Sequence, residues 1–229
     1  MAIAVDAASS TTGSGVGPFT WAHTCTGSNL VLCVNISIYD SADFPTSVTY
    51  NGVALTPIGS TSNGQYTVYQ YYLIAPATGA NNIVVSVSGN VFDFVGSGVS
   101  LTGVDQTTAI GTQAVNSGTD TTPTVNVTSA SGELVIDALI ITHSGTLTVD
   151  GTQTQQAQAV GGSGFIKGAS STEGGAATTT MSWGNSSSQA WAIVGTPFKP
   201  VSGAATGQPY SKRVAGVPWM RPTRFSGVW

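Results

Sequence analysis

The chain has 229 residues and a formal charge of −4, and only 7% of it is Asp, Glu, Lys or Arg. An average soluble domain carries about 25%, so disorder driven by charge is excluded, because Val, Ile, Leu and aromatics recur throughout. The length suits one large β domain or two small ones, and no apolar run reaches the roughly 18 residues of a transmembrane helix.

In chain order, Ala2 to Ala7 reads as a short strand and Ser9 to Gly17 as a Ser/Thr/Gly linker. Phe19 to Cys25 and Leu30 to Asp40 read as a hairpin. Within the second run, Leu30, Leu32, Val34, Ile36 and Ile38 alternate with more polar positions, the period of two of a strand with one apolar face. Asn51-Gly52 lies between two β-prone runs. Both residues tolerate positive φ, so a type I′ turn is predicted there. Gln65 to Ile74, Asn82 to Ser88 and Phe94 to Leu101 continue the series, and Gly103 to Gly111 bridges to the second half. There Thr124 to Thr128, Glu133 to Thr142, Thr146 to Val149, Thr152 to Val160, Gly164 to Ala169, Thr178 to Trp183 and Ala190 to Phe198 are predicted strands. No window shows helical periodicity, and no internal repeat is apparent. The expected fold is all-β: an antiparallel, jelly-roll-like sandwich over residues 1–200, followed by an extended C-terminal arm over 201–229.

Four stretches carry a family resemblance: Val48-Thr-Tyr-Asn-Gly-Val-Ala-Leu-Thr56; Leu73-Ile-Ala-Pro-Ala-Thr-Gly79 with Asn82-Ile-Val-Val85; Val99-Ser-Leu-Thr-Gly-Val-Asp-Gln-Thr-Thr108; and Trp191-Ala-Ile-Val-Gly195 before Lys199-Pro200. Over about residues 19–200 the chain resembles β-sandwich domains of phage virion and bacterial surface proteins. The matching residues are turn and core residues. The resemblance implies a fold and a setting, and it carries no catalytic residues. The segment after Pro200 lies outside it.

Catalytic chemistry finds little support. A Ser-His-Asp arrangement needs His23 or His143, and the nearest look-alike of a nucleophile elbow is Ser163 in a Gly-rich loop. A glycosidase pair would have to be Glu133 and Glu173. Calcium would need Asp40 and Asp43 to converge with Asp93 or Asp105, and turn-forming Asp residues are the simpler reading. Cys25 and Cys33 read as reduced core cysteines, with a disulfide as the alternative. A metal site completed by His23 and His143 is disfavoured. The expectation is a non-enzymatic chain with no cofactor and no bound metal. Carbohydrate binding is the serious alternative, with Tyr66, Tyr69, Tyr71, Tyr72, Trp183 and Trp191 as platform candidates. Tyrosines alternating along one strand must, however, place some in the core.

Charge is segregated. The first 200 residues hold all ten carboxylates and two lysines, a formal −8, while residues 201–229 hold four cations and no carboxylate, a formal +4. Four cations spread over 13 residues are too sparse to track phosphates, so nucleic acid is an unlikely partner. Arg and Trp are the residues enriched at interface hot spots. The partner-docking candidates are therefore Tyr210, Trp219, Arg221, Arg224, Phe225 and Trp229, set between Pro209, Pro218 and Pro222 so that no regular helix spans them. The start Met1-Ala-Ile-Ala-Val-Asp lacks the basic and apolar regions of a signal peptide. A surface-type composition without a secretion signal suggests a virion component with a capsid or shell protein, or copies of itself, as partners. The leading expectation is a phage capsid decoration (cement) protein. The alternatives are an adhesion module of a tail fibre and a subunit of an extracellular filament.

Overall fold

The computed structural model describes residues 2–40 and 42–201. Among these every regular element is a strand. The first half holds β1 (Ala4–Val16), β2 (Phe19–Cys25), β3 (Val31–Tyr39), β4 (Pro45–Tyr50), β5 (Val53–Ala54), β6 (Thr56–Asn63), β7 (Tyr66–Ile74), β8 (Gly79–Val87) and β9 (Asn90–Thr102). The second half holds β10 (Ala114–Asp120), β11 (Thr124–Val127), β12 (Leu134–Thr142), β13 (Leu147–Val149), β14 (Thr154–Val160), β15 (Ile166–Gly174), β16 (Thr179–Asn185) and β17 (Gln189–Phe198).

Local chemistry sets the turns. Asn51 and Gly52 adopt φ of 49° and 76°, the left-handed pair of a type I′ turn, and Tyr50 pairs Val53 across it. Ala75 at φ 49° ends β7 where Pro76 prevents continuation.

Each half forms one antiparallel sandwich. In the first, a sheet in the order β1-β9-β3-β7-β6 faces a sheet in the order β2-β8-β4-β5. In the second, β10-β17-β12-β15-β14 faces β11-β16-β13. With the two-residue β5 set aside, β1, β2, β3, β4, β6, β7, β8 and β9 correspond in order to β10 through β17, and both sheet orders then coincide. Each half has the interleaved Greek-key connectivity of a jelly roll. The expected all-β, jelly-roll-like architecture is present twice.

Equivalent residues agree with equivalent strands. Thr49-Tyr50-Asn51-Gly52 matches Thr148-Val149-Asp150-Gly151. The Asn51 N–H donates to the Asn82 carbonyl and the Asp150 N–H to the Ser182 carbonyl, both at 3.1 Å. Gly98 stands opposite Val34, and Gly195 opposite Asp137. Both glycines lie where the second sheet approaches closely. A Cβ on Gly98 would come 2.6 Å from Ile83 Cδ1, and one on Gly195 would come 2.5 Å from Val127 Cγ2.

The two five-stranded sheets pack against each other, giving four layers. That explains β3, whose first eight residues are all buried. Leu32, Val34, Ile36 and Ile38 fill the first sandwich with Trp21, Tyr50, Ile83 and Phe94, each contributing about 1.5–3 kcal/mol by burial. On the opposite face Val31 and Cys33 meet Ile136 and Phe198 of the second half. The second sandwich closes on Leu139, Ile141, Met181, Trp183 and Ile193.

A buried amide cluster locks the register of the two halves. The Gln70 Nε2 donates to Asn35 Oδ1 at 3.0 Å, and its Oε1 accepts from Gln113 Nε2 at 3.1 Å and from Thr196 Oγ1 at 2.5 Å. Buried amides must find partners, and here they find them across the junction.

Three sequence expectations are corrected. Of the expected linker Ser9 to Gly17, residues 9–16 are strand: Ser9 to Val16 pairs with β9 from Gly98 to Asn90, with a bulge between Gly13 and Gly15. The Ser/Thr/Gly composition suits an edge strand as well as a loop. Phe19–Cys25 and Leu30–Asp40 are not a hairpin, because β2 pairs β8 while β3 pairs β7 and β9. The turn at Gly27 and Asn29, with φ of 90° and 52°, carries the chain from one sheet to the other. An internal duplication is present where none was apparent. Cys25 and Cys33 are both free and buried. Burial raises both thiols above their ordinary pKa, as for inert core cysteines.

Candidate functional site at the aromatic end

The strands place one cluster of aromatics at a single end of the molecule. Tyr39 closes β3 and pairs Tyr66, the first residue of β7. Phe92 lies near the start of β9, and Phe165 immediately precedes β15 in the second half. The Tyr39 and Tyr66 rings stack with centroids 4.9 Å apart, Phe92 meets Tyr39 edge-on at 5.1 Å, and Phe165 meets Phe92 at 4.7 Å. Phe92 and Phe165 remain 48% and 49% exposed. Burial among these neighbours, then Tyr66 itself, raises the Tyr39 pKa.

The cluster lies on an apolar rim. Among the described residues seven large apolar side chains are exposed. Strand register places five of them at this end: Val16, Phe44, Phe92, Val160 and Phe165. Five of the seven exposed large apolar side chains among the described residues thus share one end of the body.

A buried carboxylate positions the second half's contribution. Asp93 is fully buried. It accepts the N–H groups of Phe94, Ser163, Phe165 and Ile166 at 3.2, 2.9, 2.8 and 3.1 Å. The loop Gly161-Gly-Ser-Gly164 wraps this carboxylate so tightly that a Cβ on Gly161 would collide with it. The loop that resembled a nucleophile elbow is therefore an amide nest for Asp93. It ties Phe165 to β9, helped by the His143 N–H, which donates to the Phe165 carbonyl at 2.7 Å.

The other calcium candidates serve turns. Asp40 Oδ1 accepts the N–H groups of Ala42 and Asp43 at 2.9 and 3.3 Å, and Asp43 accepts Ser88 Oγ at 2.7 Å. Asp105 accepts the amides of Thr107 and Thr108. Among the described residues no three His, Cys, Asp or Glu side chains form a metal-binding group. Glu133 accepts the Ala130 N–H of its own turn, and Glu173 stands opposite Val135.

A Ser–His contact does occur, between residues the sequence did not connect. Ser9 Oγ lies 2.8 Å from His23 Nδ1 and accepts Trp21 Nε1 at 3.1 Å. His23 is only 2% exposed, and its buried Nε2 has no hydrogen-bond partner among the described residues. Burial lowers the His23 pKa against the opposing pull of Asp6, so the ring is neutral and packed between sheets. In the second half Asp137 is fully buried, accepting Trp183 Nε1 at 2.7 Å and the Ser171 N–H and Oγ at 2.5 and 2.9 Å. Burial pushes its pKa up to about 7.

Of the aromatic platform candidates, Trp183 and Trp191 are core residues. Tyr69 and Tyr71 pack on the first sandwich, and Tyr72 packs on the junction. Only Tyr66, itself half-buried, joins the aromatic cluster, and its companions Tyr39, Phe92 and Phe165 were missed. Their signal was positional, an aromatic at the end of each of several strands, and it becomes visible only once the strands are aligned. The docking candidates Tyr210, Trp219, Arg221, Arg224, Phe225 and Trp229 lie outside the described residues. Comparison of the chain with protein-family models, curated proteins and solved structures finds no match.

Proposed function

We propose that this chain is a non-enzymatic structural protein of a virus particle, a phage capsid decoration protein attached through residues 201–229. The observation that carries the reading is the segregation of charge. A β body of formal charge −8 is followed by a segment of +4 that holds two Trp, one Phe and one Tyr. The last strand ends at Phe198, and the Val201 N–H donates to the Gly103 carbonyl at 2.8 Å, so the segment leaves from a fixed point. The net negative charge of the body favours contact with the positive segment over contact with a second bare body. Arg with aromatics suits pockets on an acidic shell protein.

Electron microscopy of the native particles, with an antibody against the body, tests this reading. Label distributed over the icosahedral shell is expected. Label confined to tails or fibres, or absent from particles, would overturn it.

A further inference from the structure

One side of the first sandwich is closed by two edge strands, β1 of the five-stranded sheet and β2 of the facing sheet. A histidine sits inside that closure. Trp21, His23 and Cys25 are the buried residues of β2, whereas no residue of β1 is fully buried. Gly13 of β1 leaves room for the Phe19 ring, which a Cβ there would meet at 2.5 Å. Side chains tie β1 down at two points. Asp6 accepts the Thr26 N–H and Ser100 Oγ, each at 2.8 Å, and the Thr26 hydroxyl. Ser9 Oγ accepts Trp21 Nε1 at 3.1 Å and lies 2.8 Å from His23 Nδ1.

The second tie suits a neutral ring and fails for a charged one. In either neutral tautomer Ser9 Oγ serves Nδ1, as donor or as acceptor. With a second proton both ring nitrogens must donate. Nδ1–H then shares Ser9 Oγ with the indole N–H, and the Ser9 hydroxyl proton loses its acceptor. Nε2–H meets no acceptor among the described residues, in a site only 2% exposed. Burying a charge without a partner is costly. The titratable groups facing the ring are Asp6 on β1, Cys25 on β2 and Tyr50 on β4, whose ring stands edge-on at 6.3 Å between centroids. Asp6 is the one anion of the three, and its oxygens are taken by Thr26 and Ser100. The facing residues of β8 and β9, Ile83 and Gly98, do not titrate. The second half closes the equivalent side with β10 and β11, where the buried residues of β11 are Val125 and Val127.

We propose that this closure is an acid-sensitive latch, in which a proton on His23 releases the edge strand β1 from the body. β1 is the element that gives way, because it is paired on one edge and buries least. The ring is neutral when the latch is closed and free to ionise when it opens. Closure is therefore complete above the ordinary histidine pKa of 6.5 and weakens as pH falls toward the lower folded-state value, which burial sets against the pull of Asp6. Despite the cost of burial, the hydrogen bonds from Thr26 and Ser100 hold the Asp6 pKa below its ordinary value, so the first tie stays ionised through the same range. Asp137 acts in the opposite sense, since its proton stabilises the second half as pH falls. Global unfolding therefore does not mimic the latch.

Native-state hydrogen exchange on the full chain, corrected for the intrinsic effect of pH on exchange, tests this. Between about pH 7 and pH 5 the opening constant at the β1 amides from Ala7 to Gly13 is expected to rise roughly tenfold or more. Amides of β10 should be unchanged or better protected. His23→Phe removes the titration and flattens the rise, and His23→Gln does the same should the Phe variant fail to fold. An NMR titration of the wild-type ring gives an independent reading: His23 stays neutral in the closed protein at pH values where β1 already opens. Constant opening of β1 across this range overturns the proposal. So does a rise that persists in the His23 variants, a rise shared equally by β10, or a ring that takes its proton near its ordinary pKa while β1 stays protected.

Discussion

Replacing Asp93 by Ala tests how the two sandwiches share the aromatic end. The carboxylate accepts four backbone N–H groups, three of them from the Ser163–Ile166 segment of the other half. A buried N–H left unpaired costs about 1–3 kcal/mol, and those bonds are charge-assisted. Against this, the variant no longer desolvates a carboxylate. The balance is a loss of about 3 kcal/mol. For a chain of this size that lowers Tm by roughly 6–12 °C. Urea unfolding gives the stability, and hydrogen exchange at Ser163, Phe165 and Ile166 gives the local effect. These amides should lose protection beyond the global change, because the loop no longer has its acceptor. A loss below about 1 kcal/mol, with these amides protected as in wild type, would refute the clamp.

Gly98→Ala and Gly195→Ala should each cost about 1–3 kcal/mol by overpacking, since the added methyl meets Ile83 or Val127 in the facing sheet. Thermal melts in which only one variant is destabilised would argue that the two positions are not equivalent. Asp137 has a folded-state pKa of about 7, above its ordinary value, so the folded state binds the extra proton between about pH 4 and 7. Its contribution is complete below about pH 4 and is lost as pH rises toward 7, by on the order of 4 kcal/mol at most. Asp137→Asn should remove that falling limb from a stability-versus-pH profile, and an unchanged profile would refute the assignment. Trp219→Ala or Trp229→Ala should weaken particle binding more than Lys212→Ala, because a buried aromatic outweighs an exposed ion pair. Equal losses in a pull-down would indicate a simple electrostatic tether.

The sequence made the strands legible where burial is one-sided or turns are chemically explicit. Asn51-Gly52 and the alternation from Leu30 to Ile38 are such cases. It misled where composition is ambiguous between loop and edge strand, as in Ser9 to Gly15. It also could not show that Val31, Cys33 and Asn35, on the more polar face of β3, are buried as deeply as Leu32 and Val34. Only the second sandwich packed against that face makes them so. The duplication escaped notice because its halves share little beyond Thr-x-Asn/Asp-Gly and a glycine on the last strand. Packing has diverged even at matched sites, with Asp137 standing where the first half has Val34. The aromatic end was hidden for a different reason. Tyr39, Phe92 and Phe165 are far apart in the chain; antiparallel register brings Tyr39 beside Phe92, while packing of the second sandwich and the Asp93 clamp bring in Phe165.

Attachment through the last 29 residues is measured directly by particle rebinding. Particles assembled without this protein would be incubated with the full chain or with a chain ending at Val201, and bound protein would be counted after sedimentation. Saturable binding of the full chain is predicted, with no binding by a truncated chain that keeps its β circular dichroism and cooperative melt. Equal binding by both chains would contradict the account.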